Sequence, residues 1–152
     1  MKKKLLLLLP LCLAGCALEE QKAKNHIIDT KWSSVNTAYI PHCSYELSIY
    51  KDSYELFYHE DAVHTSQTNK EAIDKTSSGK WSYLRSISKT WIGDWNVKRS
   101  VTYHVVQIER QPRYDGAAYL CFELDSNVLY MESKELTSVD DMNYYTRFTL
   151  QE

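Results

Sequence analysis

The sequence predicts an all-β domain, a single antiparallel meander of about eight short strands closing into a barrel, preceded by a short export segment. Three observations carry this. Residues 44–50 and 54–59, and again 119–125 and 128–132, alternate apolar and polar side chains across a tight turn, the pattern of half-buried antiparallel strands. From His26 onward β-branched and aromatic residues dominate, among them all of the 12 Tyr and 4 Trp, which suit a pleated surface. Turn clusters separate the runs at short intervals, with little sign of helix between them.

The chain begins with Lys2, Lys3 and Lys4, then an apolar run from Leu5 to Leu13 that is too short to span a bilayer, then small residues. This is the layout of an export signal. Its last residues, Leu13-Ala14-Gly15-Cys16, resemble the lipobox of bacterial lipoproteins. That resemblance implies cleavage before Cys16 and acylation of its thiol, which makes Cys16 the first residue of a membrane-anchored, cell-envelope protein. Ala17 in place of aspartate implies the outer membrane in a Gram-negative cell. The expected organisation is a signal peptide over 1–15, a lipidated cysteine with a polar tether over 16–28, and a barrel domain over 29–152. A flexible tether of about 10 residues reaches roughly 15–20 Å.

Residues 27–32 are expected to start the first strand, with Pro41 ending the loop that follows. With Asp52 and Ser53 as a two-residue turn, Ile49 faces Leu56 and Leu47 faces Tyr58 on one side, while Glu46 faces His59 on the other. A slip of one residue would turn every apolar side chain outward. Residues 62–65 read as a short strand. The polar stretch 66–78 reads as a loop with room for one helical turn near Ile73. After Gly79, residues 80–87 form a strand with Trp81, Tyr83, Arg85 and Ile87 on one face. Residues 91–97 and 101–108 continue the meander, and Val105-Val106 breaks alternation, marking a bulge or a strand buried on both faces. Residues 111–116 are a turn cluster. Around Ser126-Asn127 a second hairpin sets Leu124 against Leu129 and Phe122 against Met131. Residues 136–142 form a loop, and 143–150 the last strand.

Loss of the leader removes three of the 18 basic side chains and none of the 20 acidic ones, leaving 15 against 20, a balance of −5. An acidic body without a basic run lacks the footprint of a nucleic-acid binder and suits a cationic partner instead. Cys12 leaves with the leader and Cys16 is assigned to lipid, so Cys43 and Cys121 remain as a pair for a disulfide in an oxidising compartment. The registers strain that pairing, because Cys43 shares a face with Leu47 and Ile49 whereas Cys121 opposes Leu120 and Phe122. A bridge requires Cys43 to precede regular pairing.

No catalytic set is assembled. Ser77-Ser78-Gly79-Lys80 and Ser86-Ile87-Ser88-Lys89 both match Ser-x-x-Lys, but the companion motifs of penicillin-recognising enzymes are absent. His42, His59, His64 and the two available cysteines lack ligand spacing, so no metal and no cofactor is expected.

A small meander with tryptophan on its first strand, within Thr30-Lys31-Trp32, and a late Arg147 resembles the lipocalin-like barrels of bacterial envelope lipoproteins. The usual Gly-x-Trp is represented without its glycine. The resemblance implies that Arg147 stacks on Trp32 to close the barrel. It also implies a binding protein and not an enzyme, with a small apolar or aromatic ligand inside the barrel near Trp81, Tyr83 and Tyr103. The alternative is a protein-binding lipoprotein, such as an inhibitor of a cationic host hydrolase of the lysozyme type. A cavity separates the two readings.

Overall fold

The computed structural model describes residues 5–36, 42–144 and 146–152. Lys2 to Lys4, Pro41 and Tyr145 lie outside the described residues. One helix, α1 (Leu5–Ile27), precedes β1 (Thr30–Asn36), β2 (Cys43–Ile49), β3 (Tyr54–Glu60), β4 (Val63–His64), β5 (Asn69–Lys70), β6 (Ile73–Gly79), β7 (Trp81–Ile92), β8 (Lys98–Ile108), β9 (Ala118–Phe122), β10 (Val128–Glu132) and β11 (Thr146–Leu150). Nine of these strands form one antiparallel sheet in the order β6-β3-β2-β1-β11-β10-β9-β8-β7, curled into a half-barrel. β4 and β5 make a separate two-stranded ribbon.

The first and last strands pair, with Trp32 opposite Leu150, as a barrel requires. The seam falls instead between β6 and β7, which are consecutive in the chain and unpaired among the described residues. At that seam side chains substitute for a ladder. The Tyr54 hydroxyl donates to the Arg110 carbonyl at 2.7 Å and accepts from the Arg110 amide at 2.8 Å, and Ser77 donates to the same carbonyl at 3.2 Å. Gly79 leaves room for the Glu109 side chain, whose carboxylate accepts from the Lys80 amide. The inner face is filled by Trp32, Leu47, Leu56, Phe122 and Phe148, all essentially inaccessible.

Residues 17–25, expected as a flexible tether, are helical. Glu20 pairs with Lys24, Gln21 with Asn25 at 2.8 Å, and Ala23 and Ile27 enter the same buried cluster as Trp32 and Phe122. Three pairs at i, i+4 thus sort one face to solvent and one to the sheet. Asp29, at φ 59°, ends the helix, and the Thr30 hydroxyl caps the Ile27 carbonyl while accepting the Trp32 indole N–H at 2.7 Å.

Both hairpins keep the expected faces with the register displaced by two residues. Leu47 faces Leu56 around a Lys51-Asp52 turn, and Phe122 faces Leu129 across residues 123–127. A shift of two preserves side-chain parity, which is why the buried sets agree. Asp125, at φ 62°, moves the second turn toward Glu123 and Ser126. Within the stretch taken as a polar loop, Ile73–Gly79 is an edge strand paired only with β3. Only one of its flanks has a ladder, and its side chains are mostly exposed, so no apolar alternation marks it. Residues 94–96 form a 3-10 turn rather than strand.

Val105-Val106 is a strand buried on both faces, and the bulge lies opposite it, at Leu84. Tyr83 pairs with Val106 but Arg85 pairs with Val105, so β7 exchanges its faces there. Arg85 and Ile87 therefore leave the face of Trp81 and Tyr83. A second cluster, Ile87, Tyr103, Val105, Cys121, Leu136, Val139 and Met142, covers the outer face.

Candidate functional site

At one end of the half-barrel, the end of β3, the start of β2 and the 109–117 loop surround a half-open cup of about 440 Å³. Alternation places Cys43 and Tyr45 of β2 and Tyr58 and Glu60 of β3 on the inner face. Tyr45 and Tyr58 are direct cross-strand partners with ring centroids 4.9 Å apart, and Tyr45 also touches Phe148 at 5.9 Å. The loop is shaped by Gly116, at φ 124°, whose carbonyl accepts the Gln111 amide at 3.1 Å. Arg113 follows, its guanidinium 5.3 Å from the centroid of the Tyr114 ring.

The acids of the cup are committed to structure. Glu60 accepts from the Lys70 ammonium and the Tyr58 hydroxyl, and these two, Lys70 foremost, hold its carboxyl below the usual range. Glu132 accepts from the backbone amides of Asn143 and Tyr144 at 2.8 and 2.9 Å. Burial, then the bond to Glu60, pushes the Tyr58 hydroxyl up, so it remains a donor at neutral pH. Burial likewise raises the Cys43 thiol against the opposing pull of Arg113, which keeps it a thiol and a poor nucleophile. Among the described residues Arg113 forms no ion pair with a carboxylate. The cup thus offers one cation without a carboxylate partner among the described residues, beside a tilted pair of phenol rings, an arrangement suited to an anionic group on a flat or apolar body.

The expected ligand residues are not brought together. Trp81 and Tyr83 face inward, Trp81 donating its indole N–H to the Tyr50 carbonyl at 2.8 Å and Tyr83 lying 3.2 Å from His104 Nδ1. Tyr103 is on the outer face, edge-on to Tyr130 and Tyr144. The Leu84 bulge separates them. Arg147 does not stack on Trp32, because Trp32 shares a face with Leu150 and Phe148 and is buried, whereas Arg147 pairs with Tyr130 on the other face and is exposed. Cys43 and Cys121 are both free and buried. Cys43 is regularly paired between Asn36 and Glu60 on the inner face, and Cys121 lies in the outer cluster, so the sheet itself stands between the two sulfurs. Cys16 is exposed on α1.

His59 is clamped between Asp74 at 2.6 Å and Asp61 at 3.1 Å, and Lys89 of the second Ser-x-x-Lys pairs with Asp140. Neither arrangement couples a base to a nucleophile. Among the described residues no cluster of three or more His, Cys, Asp or Glu converges as a metal site, and no helix is long and apolar enough to cross a membrane. The sequence reading missed Arg113, which it placed only in a turn cluster. The signal was an arginine between Pro112 and Tyr114 in a loop following a doubly buried strand. No protein-family model, curated protein or solved structure matches this chain.

Proposed function

We propose that this chain is a lipid-anchored cell-envelope binding protein, acylated on Cys16, whose lipocalin-like body takes a small anionic ligand with an aromatic or apolar part in the Arg113 cup. The observation that carries this reading is the Arg113 guanidinium, which lacks a carboxylate partner among the described residues at the mouth of a cup of about 440 Å³, within the volume range of small-molecule sites. The barrel interior beneath it is filled, which supports a site at the mouth in place of one near Trp81, Tyr83 and Tyr103. The Leu-Ala-Gly-Cys signal supports the envelope address.

The test uses anilinonaphthalene sulfonate, an anionic aromatic probe. The wild type is expected to bind it in a salt-sensitive manner, and Arg113→Glu to weaken binding at least about tenfold, the loss of one charge-assisted contact. Equal binding by both proteins refutes the cup. Palmitate labelling that persists in Cys16→Ser refutes the anchor separately.

The filled interior also favours the second reading, a protein-binding module for a cationic partner such as a host hydrolase. Its mark is a stable complex with lysozyme that Arg113→Glu does not weaken.

A further inference from the structure

β7 and β8 are 12 and 11 residues long, about twice the length of their neighbours. β8 pairs with β9 only from His104 onward, so Lys98 to Tyr103 have β7 alone for a partner. The two strands therefore project as an arm, roughly 20 Å past the neighbouring strand at about 3.3 Å per residue. The arm is stiffened on both faces. Ser88 and Thr102, and Thr90 and Ser100, join hydroxyls at 2.7 and 2.8 Å, while Lys89 reaches Asp140 on the loop beneath.

At its tip four large apolar side chains face solvent. Trp95 is 95% exposed, and Trp91, Ile92 and Val97 are all exposed as well. Trp95 and Asn96 both have left-handed backbone, at φ 65° and 57°, an unfavourable conformation for a bulky residue that here turns the indole outward. Lys98 and Arg99 sit beside them, and among the described residues neither pairs with a carboxylate. Asp94 is the tip's one acid, so residues 91–99 carry a local positive excess on a chain whose formal net charge is −2.

Exposed tryptophan with flanking basic side chains is the chemistry of the bilayer interface, where indoles settle among headgroups and cations meet anionic lipid. We infer that the β7–β8 tip is a membrane-contact element, seating Trp95 and Trp91 in the headgroup region of an anionic bilayer. It is a contact separate from Cys16 and independent of the Arg113 cup.

The experiment reconstitutes the full chain into vesicles of phosphatidylcholine and phosphatidylglycerol containing acyl-brominated lipid, and reads tryptophan quenching. Quenching is expected in the wild type and is lost in large part in Trp95→Phe, whose side chain has too few contacts to affect folding. Trp81→Phe leaves it unchanged. Lys98→Glu with Arg99→Glu lowers it, as does omission of phosphatidylglycerol. Equal quenching in wild type and Trp95→Phe overturns the inference, as does a chain that stays in the aqueous phase. Shielding of Trp95 that occurs only on adding a second protein, and not on adding vesicles, also overturns it.

Discussion

Two histidines in this fold respond to protons with opposite sign. His59 has its pKa raised by Asp74 and then Asp61, so its contribution to stability is complete below the unfolded value of about 6.5 and disappears as pH rises through the folded value. His104 is 2% exposed, and burial lowers its pKa. Its contribution is complete above about 6.5 and is lost as pH falls through the folded value. In urea unfolding across this range, Asp74→Asn is expected to remove the part of the stability that fades on the alkaline side. His104→Gln is expected to flatten the decline on the acid side. Arg113 belongs to the same scale, since the chemistry of the cup turns on one side chain that no motif announces. At Cys43 and Cys121 the parity conflict read from the sequence was the correct signal, and the pairing by elimination was not. Reduced and unreduced protein should therefore migrate alike.

Among the elements, α1 bears most on the proposed anchor. Cys16 lies seven residues from Ala23, which at 1.5 Å per residue is about 10 Å along a docked helix. An acyl group on Cys16 would hold the half-barrel close to the bilayer in a defined orientation, unlike a loose tether. Ile27→Ala removes the buried end of this helix and is expected to cost about 2–4 kcal/mol, read as a shift in the urea midpoint at unchanged slope. No loss would mean that the helix is undocked in solution. The hairpins were legible because alternation fixes which side chains share a face. Their registers were not, because turns at Lys51-Asp52 and around Asp125 are chosen by backbone conformation that alternation does not encode. β6 escaped notice for the opposite reason: an edge strand with exposed faces has no apolar period to display.

For the whole molecule, the half-barrel is held at its seam by a few side chains and not by a ladder. Tyr54 makes hydrogen bonds to both the amide and the carbonyl of Arg110 and is buried, so Tyr54→Phe is expected to destabilise the fold by about 1–3 kcal/mol, mostly by stranding the Arg110 amide, since the carbonyl keeps the Ser77 hydroxyl. Differential scanning calorimetry reads this directly, and an unchanged midpoint would place the closure elsewhere. By itself the sequence determined the all-β antiparallel class and the buried faces of the two hairpins, because those follow from local period and residue type. Only the tertiary structure decided where the sheet stays open, that the Leu84 bulge parts Trp81 and Tyr83 from Tyr103, that Trp32 and Arg147 lie on opposite faces, and that Arg113 meets Tyr45 and Tyr58. Each of these depends on strands far apart in the chain arriving at one register, and a one-residue irregularity in any of them reverses the face on which every later side chain stands.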